Sequence, residues 1–234
     1  MENPQTLRRY TNLPVLIDML VSRKLTTIGY SHWVDANDRE GLSLYQRALG
    51  YGFVGAVCLT RAPETFHHWQ IYASGPAGVS VILNKQRLDE LCKENEHFYA
   101  GDVRYILLNR IDQIEAKDIH QLPFFKRYGF GDEKEYRVVS FSVEKQNSMG
   151  LEFDTRLIER VVVSPFAHPS LITNIRKVLR SIEPWQNLTV EHSTLTDSET
   201  WKAALANYEK RHGVIYGKWV SGPIDIPIAN YQRD

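Results

Sequence analysis

The chain has only two cysteines, Cys58 and Cys92, among its 234 residues. They lie far apart in sequence, so they supply neither a disulfide framework nor a thiolate metal cluster. The opening stretch MENPQTLRRYT has no apolar core and does not resemble a secretory signal. No apolar run approaches the roughly 18 residues that a membrane-spanning helix needs. We therefore expect a cytoplasmic protein without a membrane partner.

The chain also lacks an excess of charge of either sign, because 28 lysines and arginines balance 28 aspartates and glutamates. A neutral chain has no global field to steer it to nucleic acid or an anionic membrane, although a local basic cleft is still allowed. Apolar residues make up 43% and charged residues 24%, which is typical of a soluble globular protein. The 12 tyrosines and 5 tryptophans are side chains that fill cores and line pockets for flat ligands.

Familiar catalytic motifs are absent as well. The chain contains no G-x-S-x-G, no C-x-x-C and no G-x-x-x-x-G-K-[ST]. The stretch GYGFVGA has the glycine spacing of a dinucleotide-binding loop, but the patterns around it predict a helix before and a strand after, the reverse of the required order. We therefore expect Gly50 to end a helix and Gly55 to lie in a strand. The adjacent His67 and His68 would point about 100° apart on a helix, which disfavours a shared metal ion.

Hydrophobic periodicity predicts short strands mixed with helices and no Pro/Gly/Ser-rich linker. Strands are expected at LRRYT, LTTIGYS, FVGAVCLT, GVSVILN, VRYILL and IERVVVSP, and helices at NLPVLIDMLVSRK, PETFHHWQIYAS, KQRLDELCKE and residues 171–182, with a further helix ending at Gly50 and a short helical region at HQLPFFKRYG. We predict an α+β fold with a mixed, largely antiparallel sheet and packed helices. Residues 1–184 are expected to form the main domain. Residues 185–234 are expected to add a helix and a strand packed on it, with an extended tail over 225–234.

The stretch GDEKEYRVVSFSVE, residues 131–144, places charged side chains at the entrance of an apolar strand. Because successive strand residues face opposite sides, Glu135 and Arg137 should share a face with Val139, while Tyr136 and Val138 occupy the other. Either the charges mark a solvated strand end, or a carboxylate points into a cleft.

Four polar and aromatic segments recur in a recognisable order between residues 7 and 143. They are Arg9-Tyr10; Asn37-Asp38 with Glu40; Trp69, Tyr72, Ala73 and Gly78; and Glu133, Glu135, Tyr136 and Arg137. In this order the chain resembles the bacterial proteins grouped as domain of unknown function 2971. The Asn-Asp loop departs from that family, because Arg39 and Glu40 stand where a proline and an aromatic residue are usual. The family name implies no activity.

The segment Glu135-Tyr136-Arg137-Val138-Val139 also resembles the late strand of toxin-type ADP-ribosyltransferases, in which a catalytic glutamate precedes an aromatic residue and an apolar strand. In that resemblance Arg9 or Tyr10 matches the position on the first strand. It implies a split-sheet ADP-ribosyltransferase-like fold and NAD as co-substrate, without a metal. It also implies transfer to a protein or nucleic-acid (RNA or DNA) acceptor by a toxin or phage-defence effector, for which an antitoxin or chaperone partner would be expected.

Cleavage of the nicotinamide–ribose bond builds positive charge on the sugar, and a fixed carboxylate stabilises that charge. On this chemistry and the resemblance, we assign Glu135 as the catalytic residue. The predicted cofactor-binding residues are Arg9, Tyr10, Thr11, Tyr30, Trp69 and Tyr72. The predicted substrate-binding residues are Asn37, Asp38 and Arg137. An arginine fork suits pyrophosphate or ribose oxygens, and aromatic rings suit nicotinamide or adenine.

Each assignment has a structural alternative. Glu135 and Arg137 form a same-face ion pair in the simplest case, with a contribution of about 0–1 kcal/mol if they are exposed. Trp69 and Tyr72 have the three-residue spacing of a helix that packs on a core. The pair Asn37–Asp38 suits the N-cap and first turn of a helix.

Two rival functions follow from these alternatives. The main rival is a non-enzymatic module that binds a ligand or partner in the same cleft. A structural alternative for Arg9 is an ion pair with Glu135 across neighbouring strands. A metal-free nucleic-acid hydrolase is a weaker rival, because no pair of nucleophile and general base stands out.

Overall fold

The computed structural model describes residues 5–113 and 115–212. Within them lie eleven β-strands: β1 Thr6–Asn12, β2 Lys24–Gly29, β3 Phe53–Thr60, β4 Gly78–Asn84, β5 Phe98–Asp102, β6 Arg104–Ile106, β7 Phe125–Arg127, β8 Glu135–Ser142, β9 Ser148–Glu152, β10 Ile158–Val163 and β11 Val190–His192. The α-helices are α1 Leu13–Ser22, α2 Ala36–Leu49, α3 Phe66–Tyr72, α4 Lys85–Lys93, α5 Pro169–Arg180 and α6 Glu199–His212. Short 3₁₀ helices cover Tyr30–His32, Leu108–Gln113, Ala116–Phe124 and Tyr128–Glu133.

Nine of these strands form one sheet that consists of two halves. One half has the order β11-β10-β4-β1 and the other the order β9-β2-β3-β8-β5. The halves meet where β1 pairs with β3 through a single residue pair, Arg8 with Thr60. All neighbours are antiparallel except β10 and β11, which are parallel. The predicted α+β fold with a mixed, largely antiparallel sheet is confirmed.

Local sequence signals explain how the helices begin and end. The side chain of Asn12 accepts a hydrogen bond from the Val15 N–H at 3.0 Å and caps α1. Asn84 caps α4 in the same way. Gly50 ends α2 with a left-handed φ of 69°, and Gly55 lies in β3, where a Cβ atom would come within 2.5 Å of a neighbouring ring. The predicted positions of Gly50 at the end of a helix and of Gly55 within a strand are confirmed.

The sheet separates two apolar regions that are supplied by opposite faces of β8. Tyr136 and Val138 join the main core together with Leu7 of β1 and the buried face of α1. Val139 points to the other side and packs with Leu42 and Tyr45 of α2. The predicted face assignment for this strand is therefore confirmed, and Glu135 lies on the α2 side.

The connection from β5 to β8 consists mainly of short 3₁₀ helices and two three-residue strands. The strand expected at VRYILL is limited to β6, which pairs only with β7 in a small parallel sheet. The helical region expected at HQLPFFKRYG is a 3₁₀ helix that ends at Phe124. Strands β5 and β9 were not predicted, because each has five residues and a glycine in its interior.

The described residues form two units, which are divided between Asp197 and Ser198. Residues after 184 contribute to the first unit, because the Trp185 indole donates to the Leu20 carbonyl at 3.0 Å and β11 pairs with β10. In the second unit, the Ser198 hydroxyl accepts from the Trp201 N–H at the start of α6. The tail predicted over 225–234 lies outside the described residues. Across residues 5–113 and 115–212, every helix is too short or too polar to cross a membrane.

Candidate active site

A cavity of about 500 Å³ opens where the two halves of the sheet separate. One edge of β3 pairs with β8 from Phe53 to Thr60. The other edge pairs with β1 at Thr60 and with β2 at Gly55 and Ala56. Among the described strands, none pairs with residues 57–59 on this edge, so β1 and β2 diverge there. The polar and aromatic lining of the cavity includes Arg9, Tyr10, Thr11, Trp33, Cys58, His68, Tyr72, Lys126, Glu133 and Glu135.

Glu135 is held in the cavity wall at the first position of β8. Its side chain is only 3% exposed. Oε1 accepts from Arg137 Nε at 2.8 Å, and Oε2 accepts from Lys126 Nζ at 3.1 Å. The Glu135 backbone N–H donates to the Tyr105 hydroxyl at 2.7 Å. Both carboxylate oxygens therefore have a cationic partner.

The electrostatic environment keeps this carboxyl ionised. Burial alone raises the pKa of Glu135, but the charge and hydrogen bond of Arg137, the charge of Lys126 and the Cys58 thiol outweigh it. The pKa is lowered from 4.5 to about 2 as a result. At neutral pH the side chain is an acceptor and a fixed negative charge.

Arg137 and Asp38 lie behind the cavity wall. The Arg137 side chain is 0% exposed and donates from Nη1 and Nη2 to the two Asp38 oxygens at 3.0 and 2.8 Å. Nη1 also donates to the Pro123 carbonyl at 2.6 Å, and the guanidinium lies 4.9 Å from the centre of the Trp33 ring. Burial raises the pKa of Asp38 against the pull of Arg137. Neither side chain lines the cavity: Arg137 contacts Glu135 directly, and Asp38 contacts Arg137 and lines a neighbouring groove.

Asn37, the third predicted substrate-binding residue, lines a different groove. Its N–H and its side-chain amide both donate to Asp35 Oδ1 at 2.9 Å, so the N-cap of α2 is Asp35 and not Asn37. Asp38 is the acid of the first turn, as expected. The groove holds about 340 Å³ and shares Lys126 with the cavity described above.

Lys126 connects Glu135 to a second carboxylate. Its ammonium donates to Glu133 Oε2 at 2.6 Å, and Glu133 Oε1 accepts from the Tyr72 hydroxyl at 2.6 Å. The positive charge of Lys126 thus separates two carboxylates that would otherwise repel each other. Burial and then Glu133 raise the pKa of Tyr72, so its hydroxyl keeps its proton.

Arg9 presents a guanidinium to the cavity from the half-sheet opposite Glu135. Its hydrogen bond runs from Nη1 to Met19 Sδ at 3.4 Å, and it forms no salt bridge with a described residue. Burial lowers its pKa to about 10, while the charges of Cys58 and Asp18 oppose the shift. A largely desolvated cation that forms no salt bridge with a described carboxylate favours an anionic ligand.

The remaining predicted cofactor-binding residues fall into two groups. Tyr10, Thr11 and Tyr72 line the cavity, where Tyr10 stacks on His68 at 5.4 Å. Trp69 is 0% exposed, and its indole donates to Glu64 at 2.8 Å, which is the core position that the alternative expected. Tyr30 packs against the Leu42 and Tyr45 cluster, away from the cavity lining.

Sequence reasoning did not assign four cavity residues to the site, namely Trp33, Cys58, His68 and Lys126. One signal was available for Cys58, because antiparallel pairing of β3 with β8 places it opposite Arg137 and on the face of Glu135. Lys126 lies in the irregular segment before β8, where no periodicity points to a partner. Among the described residues, no group of three or more His, Cys, Asp or Glu side chains is arranged to hold a metal ion.

The two thiols should react very differently with a neutral alkylating reagent such as iodoacetamide. Cys58 is exposed in the cavity, whereas Cys92 is 5% exposed. The surrounding protein removes hydration from both sulfur atoms and raises both pKa values, that of Cys92 to about 12, and the charge of Glu135 raises that of Cys58 further. Both thiols are therefore mostly protonated at neutral pH, and access through the cavity distinguishes Cys58 from Cys92. We expect mass spectrometry of peptides to find Cys58 modified at least about tenfold faster than Cys92, with a rate that rises with pH because the thiolate is the nucleophile. Faster modification of Cys92 would contradict this placement.

No protein-family model matches the chain, and no curated protein matches it either. Among solved structures, the chain is similar to DarT from Thermus sp. 2.9 in three complexes. For the complex with ADP-ribosylated ssDNA, the TM-score is 0.43 and the sequence identity 12%, with 81% of this chain and 94% of that chain covered. For the complex with carba-NAD+, the TM-score is 0.41 and the identity 13%, with 82% and 97% covered. For the complex with NAD+, the TM-score is 0.43 and the identity 13%, with 82% and 96% covered. Likenesses at this level do not assign an activity, and membership of the domain of unknown function 2971 family stays a prediction.

Proposed function

We propose that the chain is an NAD-dependent ADP-ribosyltransferase that cleaves the nicotinamide–ribose bond and transfers ADP-ribose to a macromolecular acceptor. One observation carries the proposal: an ionised Glu135 and an Arg9 that forms no salt bridge with a described residue face the same cavity from opposite half-sheets. The cavity volume of about 500 Å³ is in the range that holds small-molecule cofactors.

Glu135 supplies the charge that the reaction needs. When the bond between ribose C1′ and the nicotinamide nitrogen breaks, its electron pair leaves with nicotinamide and the ribose becomes positively charged. A carboxylate fixed beside the ribose stabilises that charge and orients the sugar hydroxyls. A nucleophile of the acceptor then forms a bond to C1′ and releases its proton. This role needs an ionised carboxylate, and a pKa of about 2 for Glu135 provides one.

Arg9 and the aromatic lining suit the rest of the dinucleotide. The Arg9 guanidinium has donors for pyrophosphate oxygens, which would restore the solvation that burial removes. The rings of Tyr10, Tyr72 and Trp33 offer surfaces for nicotinamide or adenine. The free edge of β3 at residues 57–59 adds backbone donors and acceptors.

Replacing Arg9 by methionine should raise the KM for NAD by about 10–100-fold, because a hydrogen bond to a charged group contributes roughly 1.5–3 kcal/mol. The kcat should change much less, because the pyrophosphate is distant from the breaking bond. Arg61→Met is the matched control, because Arg61 is paired with Asp102 and does not line the cavity. Steady-state nicotinamide release measures both constants. An unchanged KM in Arg9→Met would remove Arg9 from the binding site.

The acceptor and the biological role rest on the resemblance to toxin-type ADP-ribosyltransferases. It points to a protein or nucleic-acid acceptor, to a cytoplasmic toxin or phage-defence effector, and to an antitoxin or chaperone partner. NAD and ssDNA, which are present in the DarT complexes, are practical first probes, followed by RNA and protein extract.

The test is incubation of the protein with NAD that is radiolabelled on its adenylate group, with each acceptor in turn. We expect release of nicotinamide and label on at least one acceptor. If neither occurs with any acceptor, the transferase proposal is overturned.

A non-enzymatic ligand-binding module is the second candidate, favoured by the engagement of both Glu135 oxygens with cations. Alkylation of Cys58 separates the two. Protection of Cys58 by NAD without release of nicotinamide would support the binding module, whereas protection together with release supports the enzyme.

A further inference from the structure

The geometry points to Arg137 as a positioning residue that holds the Glu135 carboxylate in place at the cavity wall. Arg137 is itself held by two hydrogen bonds to Asp38 and by stacking on Trp33. This inference rests on the proposed function, because Glu135 needs a fixed position only if it acts on a bound substrate. It changes the role first expected of Arg137 and Asp38, from contact with substrate to support of the catalytic group.

The contacts of the guanidinium define its position completely. Nε donates to Glu135 Oε1 at 2.8 Å, and the opposite edge forks to both oxygens of Asp38 at 3.0 and 2.8 Å. A guanidinium is planar and rigid, so a fork that fixes one edge also fixes the N–H on the other. Asp38 therefore determines where Arg137 presents Nε, and Nε determines where Glu135 Oε1 lies.

We refer to Arg137 and Asp38 together as the clamp. The residues that hold Arg137 in place come from segments that are distant in sequence. Asp38 lies in the first turn of α2, where the helix dipole favours a negative charge. Trp33 precedes that helix, and its ring lies 4.9 Å from the guanidinium carbon. The Pro123 carbonyl, from the segment before β8, accepts from Nη1 at 2.6 Å. The clamp forms only when β8, α2 and this segment have come together.

Stability alone is a weak reason for such a pair. Replacing a buried ion pair by apolar residues of similar volume is often neutral or stabilising. Arg61 provides a comparison, because it also pairs with a carboxylate and lies near an aromatic ring but does not contact Glu135. It donates two hydrogen bonds to Asp102, lies 5.3 Å from the centre of the Tyr136 ring and is half-exposed.

Lys126 cannot replace Arg137 in fixing Glu135. Its ammonium lies closer to Glu133, at 2.6 Å, than to Glu135, at 3.1 Å. A single ammonium is a point charge on a flexible stem, so it does not define the plane of a carboxylate. Without the clamp, the position of the Glu135 carboxylate would depend on Lys126, which also donates to Glu133.

The groups that influence the charge of Glu135 come from several elements. They are Arg137 on the same strand, Lys126 on β7, Glu133 in the preceding 3₁₀ helix, Cys58 on β3, the Tyr105 hydroxyl on β6 and Asp38 on α2. Among these groups Arg137 makes the largest contribution to lowering the pKa of Glu135. Changing its geometry while keeping its charge therefore separates positioning from electrostatics.

The experiment compares wild type with Asp38→Asn, Asp38→Glu and Arg137→Lys, using Arg61→Lys as the matched control. The kcat and KM for nicotinamide release from NAD are measured from about pH 4 to 9 on variants whose thermal unfolding is cooperative. Arg137→Lys keeps the charge but loses the fork, so we expect kcat to fall about 10–100-fold while the KM for NAD stays within about threefold and the acid limb of the pH profile stays in place. Asp38→Asn should behave similarly. Asp38→Glu keeps the charge with a displaced fork and serves as the second variant if Asp38→Asn does not fold.

The outcomes distinguish the two proposals. If wild type releases no nicotinamide, the proposed function fails and this inference fails with it. If wild type is active and the folded clamp variants keep kcat within about twofold, the inference is overturned while the proposed function stands. A rise in KM alone would also overturn it, because it would show that Arg137 and Asp38 bind substrate. Reduced kcat at constant KM in the clamp variants, with Arg61→Lys unchanged, supports the inference.

Discussion

Glu135→Gln is expected to lower the rate of nicotinamide release from NAD by about 10²–10³-fold, the usual loss when one preorganised electrostatic group is removed. Glutamine matches the shape of glutamate but carries no negative charge to stabilise the developing positive charge on the ribose. The KM for NAD should change little, because Arg9 and the aromatic lining are unaltered. The measurement is steady-state nicotinamide release at neutral pH.

The substitution should leave the protein folded. Lys126 keeps its hydrogen bond to Glu133, and Arg137 keeps its fork to Asp38, so each cation retains a carboxylate. The free energy of unfolding is expected to fall by about 1–3 kcal/mol, because the charged hydrogen bonds of Glu135 are lost. Glu152→Gln on the exposed edge of β9 is the control for a neutralised glutamate outside the cavity. If Glu135→Gln were as active as this control, Glu135 would not be the catalytic residue, even if NAD is cleaved.

Arg137→Met is expected to lower the free energy of unfolding by about 3–5 kcal/mol, the range seen when one partner of a buried ion pair is removed. Methionine fills much of the volume of arginine, so the loss comes from two buried carboxylates, Asp38 and Glu135, that lose their common cation. Urea unfolding at neutral pH measures it. Arg61→Met, which breaks a half-exposed pair, should cost only about 0–1 kcal/mol. Equal losses in the two variants would contradict the central role of Arg137.

The pH dependence of this loss has a defined sign for Glu135. Its pKa in the folded protein is about 2, below its ordinary value of 4.5, so its stabilising contribution is complete above pH 4.5 and disappears as the pH falls toward 2. In Arg137→Met the largest cause of that depression is gone, so the Glu135 contribution is lost at higher pH. The Glu135 part of the stability difference between wild type and variant should therefore shrink as the pH falls through this window.

Much of the fold was predictable because its signals are local. Asn12 and Asn84 cap helices through bonds to residues three positions away, and Gly50 has the φ that ends a helix. The alternation along β8 correctly separated the face of Glu135 from that of Tyr136. Periodicity of this kind depends only on neighbours in sequence.

The site was less predictable because it depends on pairing between distant strands. The cavity exists because β3 exchanges β1 for β2 as its partner, and no single strand carries a pattern for that exchange. Trp69 and Tyr72 share one short helix with spacing that suits either core or cavity, and only tertiary packing buries one and leaves the other 44% exposed. The partnership of Arg137 with Asp38 spans 99 residues, so each looked like an independent polar residue.

The narrow junction between the two half-sheets has a mechanical consequence. Among the described strands, the residue pair Arg8 with Thr60 is the one place where the halves are joined by strand pairing, and elsewhere they are held together by side chains of the main core that packs on both. Arg9 belongs to one half and Glu135 to the other. A ligand that contacts both would connect the halves at a distance from the junction, and so resist a change in the angle between them. A bound molecule of this kind would therefore help to fix the width of the cavity on the side where strand pairing between the halves is missing.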